Sequence, residues 1–504
     1  MKLPRRYVYL LLVGIGVLIL CYFLLEEWIN HKISEKVTDL NTADQEIVYS
    51  HLSTSLLSGE LVVDNIHYES RNKFKISAKQ CQISGISLLD LWLDKDISAS
   101  QLRITSPRII QYVRSSDTLD QPESGKELKS SIAIEDIEIT DGKFIRKKMD
   151  SLHTSVMLTM DFESTVKNVL IDSTTIKKDM PLTAKDFKVK ISTLNTHLNT
   201  FHLLKVKTIA IDPDAISLNH YEIVPLVSEK EFNHKIDKEQ DYMRLQGKSI
   251  HIATPQILKQ QDKPLLTSSS IVIDSVAFDI SRNKRLPDDT RIKPMYSKML
   301  RDLPCSIRID SVRITNGCIR YTEQPDNDLE PGLLEFDDLQ LSANTLSNLP
   351  DAEPVKIAIE SSYMNQAKIT LDWEMDVNDP EDVFHIQGAI KDVEAKSMNA
   401  FIAPTLNVKA EGKLDAFYYN FRGNRYQAIG ESSIRINEFK IKPVRHKAKM
   451  LTSVLTGLAN MIIGGKEKKG LITEKEVEVT RDQTKSFWNY FWLCIRNGLL
   501  ETVK

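Results

Sequence analysis

The sequence predicts a mostly β protein, an elongated and twisted antiparallel sheet with an N-terminal transmembrane helix and C-terminal amphipathic helices. Three observations predict it. An uncharged, mostly apolar run of about 19 residues stands near the N-terminus, close to the length a helix needs to cross hydrocarbon. From Leu61 onward, apolar and polar residues alternate with period two. Helical periodicity returns only after Lys447.

The apolar run is Tyr7 to Leu25. Lys2, Arg5 and Arg6 precede it and Glu26 and Glu27 follow, so the positive-inside rule leaves residues 1–6 as a cytoplasmic tail and exports the rest. A cleaved signal peptide would have a shorter apolar region, about 7 to 15 residues, ending in small residues; here Glu26, Glu27 and Trp28 follow instead. Leu20 stands where a lipoprotein processing site before Cys21 resembles a small residue, which argues against lipidation. The expected organisation is a helical connection over 26–58, a repeating β body over 59–445, and amphipathic and aromatic helices over 446–504.

Alternating stretches rich in β-branched residues mark the strands: Leu61 to Tyr68, Leu102 to Tyr112, Ser131 to Phe144, Thr208 to Leu218, Ile271 to Ile280, Ile307 to Tyr321, Val355 to Ile359 and Ser433 to Ile441. Two of them superimpose. SIAIEDIEITDGKF from Ser131 matches SIRIDSVRITNGCI from Ser306, and shorter versions start at Ser270 and Ser433. A recurring unit of this kind points to similar meanders added one after another, each burying its face against its neighbours. Asp141-Gly142 and Asn316-Gly317 suit left-handed backbone and predict hairpins. Apolar positions swap phase at Glu135-Asp136 and Asp310-Ser311, which predicts a bulge. Ser115 to Ser130, Asn219 to Gln246 and Arg282 to Pro304 read as loops or short helical insertions.

Near the C-terminus, Met450, Leu451, Val454, Leu455, Leu458 and Ile462 share one helical stripe flanked by lysines. Such a helix lies on an anionic surface or caps the sheet. A second helix carries Phe487, Trp488, Tyr490, Phe491 and Trp492, aromatic rings suited to a membrane interface or to closing the sheet.

With 66 basic and 69 acidic residues, the chain lacks the basic excess of a nucleic-acid-binding protein. Cys21, Cys81, Cys305, Cys318 and Cys494 form no metal-binding spacing and read as unpaired. No H-E-x-x-H, nucleophile elbow or phosphate loop is present, so no catalytic residue, metal or cofactor is expected. Asp379, Glu381, Asp382 and His385 read as a solvated loop leading into a strand.

Four segments together resemble the AsmA-like group of bacterial envelope proteins, including Bacteroidetes-type members. They are SLLSGELVVDNIHY from Ser55; ISLLDLWLDKDISASQLRITSPRI from Ile86; IDSVRITNGCIRYTE from Ile309, followed by PGLLEFDDLQL; and FHIQGAIKDVEAKSMNAFIAP from Phe384, running into VKAEGKLDAFYYNFRGN. The resemblance implies a β-groove with an apolar interior. It also implies a role in carrying phospholipid or glycolipid between membranes or in outer-membrane assembly. It places the anchor in the bacterial inner membrane, the body in the periplasm, and an outer-membrane or envelope protein at the C-terminal end. Candidate lining residues are Ile132, Ile134, Ile307, Ile309, Ile434 and Ile436. Candidate membrane- or partner-facing residues are those of the 450–462 stripe with Trp488 and Trp492. A closed core in a periplasmic scaffold, with no lipid bound, satisfies the same alternation.

Overall fold

The computed structural model describes residues 5–503 apart from 43, 71–72, 87–95, 115–130, 150–153, 176–181, 261–262, 326–329 and 445–469, with the backbone alone at some positions inside helices and strands. The chain divides into two units, Met1–His197 with Lys205–Pro213, and Leu198–Leu204 with Asp214–Lys504.

The first unit opens on a 35-residue helix, Arg5–Asp39, which contains the apolar run. Its side chains from 5 to 19 and at Cys21 lie outside the description; among the described residues, no helix is long and apolar enough to cross a membrane. The lower half of the helix is tied to the sheet, where Glu26 accepts a hydrogen bond from the Leu56 amide (3.0 Å) and Tyr49 donates to Ser34 (2.5 Å). The expected helical connection to residue 58 ends at Asp39, because β1 (Gln45–Val48) and β2 (His51–Ser55) pair with β3 (Glu60–Ser70).

The ladder then runs antiparallel from β3 to β4 (Phe74–Ser84), and from β4 to β5 (Ile97–Thr105) and β6 (Arg108–Arg114). β5 and β6 form one strand broken at Ser106-Pro107, and both run parallel to β7 (Ile132–Met149). Antiparallel pairing resumes with β8 (Thr154–Ile171) and β9 (Asp186–His197), and β10 (His202–Ile211) pairs with β9. Residues 208–218, expected as one strand, are interrupted between Ile211 and Ala215.

In the second unit β11 (Ala215–Pro225) pairs antiparallel with β12 (Tyr242–Ala253), and β12 with β15 (Ser270–Asn283). β13 (Gln256–Leu258) and β14 (Leu265–Ser268) form a small hairpin, and β14 and β15 run parallel to β16 (Ser306–Gln324). An antiparallel meander follows through β17 (Gly332–Ser347), β18 (Val355–Tyr363), β19 (Ala367–Met375), β20 (Phe384–Glu394), β21 (Val408–Gly423), β22 (Gln427–Pro443) and β23 (Gly470–Thr480). Helices span Glu229–Lys235, Tyr296–Arg301, Ala395–Leu406 and Phe487–Val503. The region after 446, expected as helices only, therefore includes a strand, and the 450–462 stripe lies outside the described residues.

The sequence repeat is a repeat of topology. β7 and β16 each follow a broken strand in parallel and precede an antiparallel partner. The predicted hairpins at Asp141-Gly142 and Asn316-Gly317 are corrected: both strands run straight through, with left-handed Asp141 (φ 54°) and Asn316 (φ 55°) and a register shift to the next strand. Left-handed backbone is what Asp-Gly and Asn-Gly favour, but the continuous ladders on either side make it a bulge rather than a turn. The phase swaps at Glu135-Asp136 and Asp310-Ser311 leave the register of β7 with β8 and of β16 with β17 unbroken, so no bulge lies there.

These left-handed residues line up across neighbouring strands. In the first unit the register sets Asn65 (φ 50°) opposite Lys79, Lys79 opposite Ser106 (φ 50°) and Ser106 opposite Asp141, where the serine hydroxyl donates to the carboxylate (2.8 Å). The second unit repeats the order with His220 (φ 52°), Lys248, Ser275 (φ 55°) and Asn316. There Asp274 accepts from the Asn316 amide (2.9 Å) and pairs with Lys248 (2.9 Å). A transverse crease thus crosses each unit at equivalent places.

Asn316→Val, which puts a β-branched residue in left-handed backbone and removes the amide donor, is expected to cost about 2 kcal/mol in chemical denaturation. Asn316→Gly should lose less, and equal losses would refute the backbone argument. The Asn316 amide, Lys248 and Ser275 together lower the Asp274 carboxyl to about 2. Its contribution to stability is complete above the ordinary carboxylate range and is lost as pH falls from about 4 toward about 2.

Candidate functional site

Cross-strand register builds the main feature of each unit, a set of apolar rows running perpendicular to the strands. In the first unit, Leu61, Ile83, Leu102, Ile137, Val166 and Phe187 are successive partners across six strands. Val63, Cys81, Ile104 and Ile139 form the adjacent row. Beyond the crease, Tyr68, Ile76, Ile109, Phe144 and Met160 form another. Leu61 is buried and the others are half-exposed. Among the described residues this unit has one buried apolar cluster, Ile86 and Ala99, with Leu56, Ile83, Ile97 and Ile134 around it.

The second unit carries a longer version. Ile216, Ile252, Ile271, Val312, Ala343 and Ile357 are partners across β11 to β18, and the same row continues as Trp373, Ile386, Phe421, Gly430 and Val477 across β19 to β23. A second row two residues along the strands begins Leu218, Ile250, Ile273 and Ile314, and passes through Leu341, Ile359 and Leu371. Between these rows lies a polar one, including His251, Arg313, Ser342, Asp372, Gln387, Asn420 and Glu431, all exposed. The sheet is therefore amphipathic along its full run of strands in this unit, with one apolar face.

Among the described residues, that face is covered at one end only. Across β11 to β16, Ile216, Ile252, Ile271, Val312, Leu218, Ile250, Ile273 and Ile314 are half-exposed, and none belongs to a buried cluster. Across β19 to β23 the face is sealed, with Ile386 in the first row and Phe417 in the next but one at 0% exposure beneath the 487–503 helix, and with Met295, Tyr296 and Leu300 packed on the same cluster. The helix inserts Phe487 in a stack on Trp373 (4.7 Å), sets Tyr490 edge-on to Phe384 (5.8 Å) and buries Cys494, whose thiol burial pushes up to about 12. Gly388 is needed in this core, because a Cβ there would lie 2.1 Å from the Thr370 carbonyl and 2.5 Å from the Tyr419 hydroxyl.

The loops at this end are joined by buried charge. Glu239 receives Lys284 (2.6 Å) and Lys485 (2.9 Å), and Lys485 also reaches Asp288 (2.8 Å). Asp382, expected in a solvated loop, is 2% exposed and accepts from Ser297 (2.9 Å) and Arg301 (2.8 Å). It holds the 296–301 helix against the turn before β20, and its companions belong to no metal-ligating group among the described residues.

The predicted lining residues fall in different places. Ile132 and Ile134 are half-exposed, Ile134 beside the small cluster. Ile307 is 8% exposed, and Ile309 is half-exposed opposite Leu346. Ile434 is corrected: at 0% exposure it lies in the sealed core, because the helix covers its end of the sheet. Ile436 pairs with Leu414, and its side chain lies outside the description. Trp492 packs against the core, while Trp488 is 45% exposed and donates to Tyr296 (3.0 Å). The apolar rows use the other phase of the repeat, Ile137 and Ile139 or Val312 and Ile314, which is half-exposed as Ile132, Ile134 and Ile309 also are. Free thiols are present at Cys81, Cys305, Cys318 and Cys494. No protein-family model, curated protein or solved structure matches the chain.

Proposed function

We propose that this is a membrane-anchored, non-enzymatic protein of a bacterial envelope that binds lipid acyl chains on its open apolar rows and supports lipid movement between membranes or outer-membrane assembly. The observation that carries the reading is the half-exposed part of the second unit's apolar face, which keeps one register across the four strands β11, β12, β15 and β16. Each methylene laid on such a face gains about 0.8 kcal/mol by leaving water. A contiguous apolar surface left half-exposed in this way is suited to a ligand or membrane contact. The anchor is supported by the exposed apolar residues on the described part of the first helix, Leu20 (59%), Phe23 (59%) and Leu24 (57%), which follow the basic tail in the order the positive-inside rule requires. Single-pass insertion with the body in the periplasm completes the reading.

The test uses the full chain in phosphatidylcholine vesicles containing a trace of phosphatidylcholine with a diazirine in its acyl tail. Illumination should label peptides carrying Ile273 and Val312. In a variant with Ile250→Asp and Ile314→Asp, that labelling should fall at least fivefold while labelling of the Tyr7 to Leu25 run is unchanged. Labelling confined to the N-terminal run in the parent would overturn the proposal and favour a protein-docking scaffold.

A further inference from the structure

We infer that the 487–503 helix is a displaceable lid that occupies the acyl-binding face, so that the second unit holds a short site when the helix is seated and a site about three times as long when it lifts. The inference rests on the proposed function. Its basis is that the covered and uncovered parts of the face are one surface. The row from Ile216 to Ile357 spans six strands, and its continuation from Trp373 to Val477 adds five with no break in register. At about 4.8 Å per strand the half-exposed stretch from Ile216 to Val312 measures about 14 Å and the whole row about 48 Å, Ala343 being buried and Ile357 packed against the sealed core. An acyl chain covers about half of a 30 Å hydrocarbon core, so the covered stretch is long enough for another chain.

Phe487, Phe491 and Ile495 now sit where that chain would lie, since all three pack on the cluster built from the row. The seat itself is imperfect. Two polar groups in it, the Trp373 indole nitrogen and the Tyr490 hydroxyl, are buried without a hydrogen-bond partner, which disfavours the seated state. Gly498 is a weak helix former in mid-helix, kept because a Cβ there would lie 2.9 Å from the Ser432 hydroxyl and 3.1 Å from the Phe417 ring. The polar ties include Ser432 donating to the Gly498 carbonyl (3.2 Å) and Trp488 donating to Tyr296, and in the preceding loop Arg481 donates to the Lys293 carbonyl (2.6 Å) while Lys485 clamps to Glu239 and Asp288. Lys485 thus acts as a latch outside the apolar seat.

The experiment applies the same photolabelling vesicles to full-length variants. Lys485→Ala should raise labelling of peptides from β19 to β23 at least twofold, with labelling of β11 to β16 unchanged. Ser432→Cys with Gly498→Cys supplies the lock, because the two Cβ atoms would stand about 3.1 Å apart, within a small shift of disulfide geometry. Added to Lys485→Ala, this pair should abolish the rise when oxidised and restore it when reduced. No rise, or a rise that oxidation leaves intact, overturns the lid. An unlabelled β11 to β16 in the parent instead overturns the acyl-binding reading beneath it. Because the cysteine pair compares one folded protein in two redox states, a folding defect in Lys485→Ala alone would not decide the outcome.

Discussion

Phe417→Ala is expected to remove about 4 kcal/mol from the stability of the second unit, the largest loss among single changes considered. Phe417 is 0% exposed, pairs across the ladder with Ile390 and Ile434, and stands under the 487–503 helix. Deleting a fully buried phenyl ring forfeits its transfer free energy and leaves a cavity, which together cost about 3 to 5 kcal/mol. The ring is flanked by Tyr419 (5.9 Å) and, with the helix seated, by its Gly498 turn, so the void is not refilled by a neighbouring side chain. Denaturant unfolding followed through tryptophan fluorescence provides the measurement, since Trp373, Trp488 and Trp492 all pack in or against this core. A loss below about 1 kcal/mol would mean that the core under the helix is not the main apolar core of the unit.

Asp382→Ala comes next, with an expected cost of about 3 kcal/mol. Removing one partner of a buried ion pair strands the other, which costs about 3 to 5 kcal/mol where both are desolvated. Arg301 is about a quarter exposed in its side chain and keeps carbonyl partners at Val377 and Asp379, which softens the loss. Alanine adds strain in the opposite direction, because residue 382 has φ 59°. Asp382→Asn tolerates that backbone and still accepts from Ser297, so it should fall between the parent and alanine in thermal unfolding. If asparagine is as damaging as alanine, the negative charge rather than the geometry carries the effect.

Much of the sheet was legible because strands with β-branched residues on one face and polar residues on the other announce themselves, as β7 and β16 do. β12 does not. Its alternation fails at Gly247, where a Cβ would lie 2.1 Å from the Tyr221 ring, and at Lys248, which sits in the crease. Residues 219–246 consequently read as a loop although β11 extends to Pro225 and β12 starts at Tyr242. Asp-Gly and Asn-Gly disclosed the left-handed backbone but not its setting, since partners 35 and 41 residues away convert a turn signal into a bulge. Which stretch of the apolar face is sealed was beyond the sequence as well. Both halves of the motif alternate, and the seal over β19 to β23 is made by a helix that begins at Phe487, more than 170 residues after Ile314.

The transverse crease has a further consequence for how strands find their partners. Parallel strands carry no turn to fix their alignment, and a slip of one residue would exchange the apolar face for the polar one. In both units the left-handed residue of one parallel strand stands opposite the left-handed residue of the other, Ser106 against Asp141 and Ser275 against Asn316. A slipped strand would face a kink with straight backbone and strand the side-chain hydrogen bonds that join the two. The crease therefore works as a notch and tooth, keying the parallel junction described in each unit to one alignment.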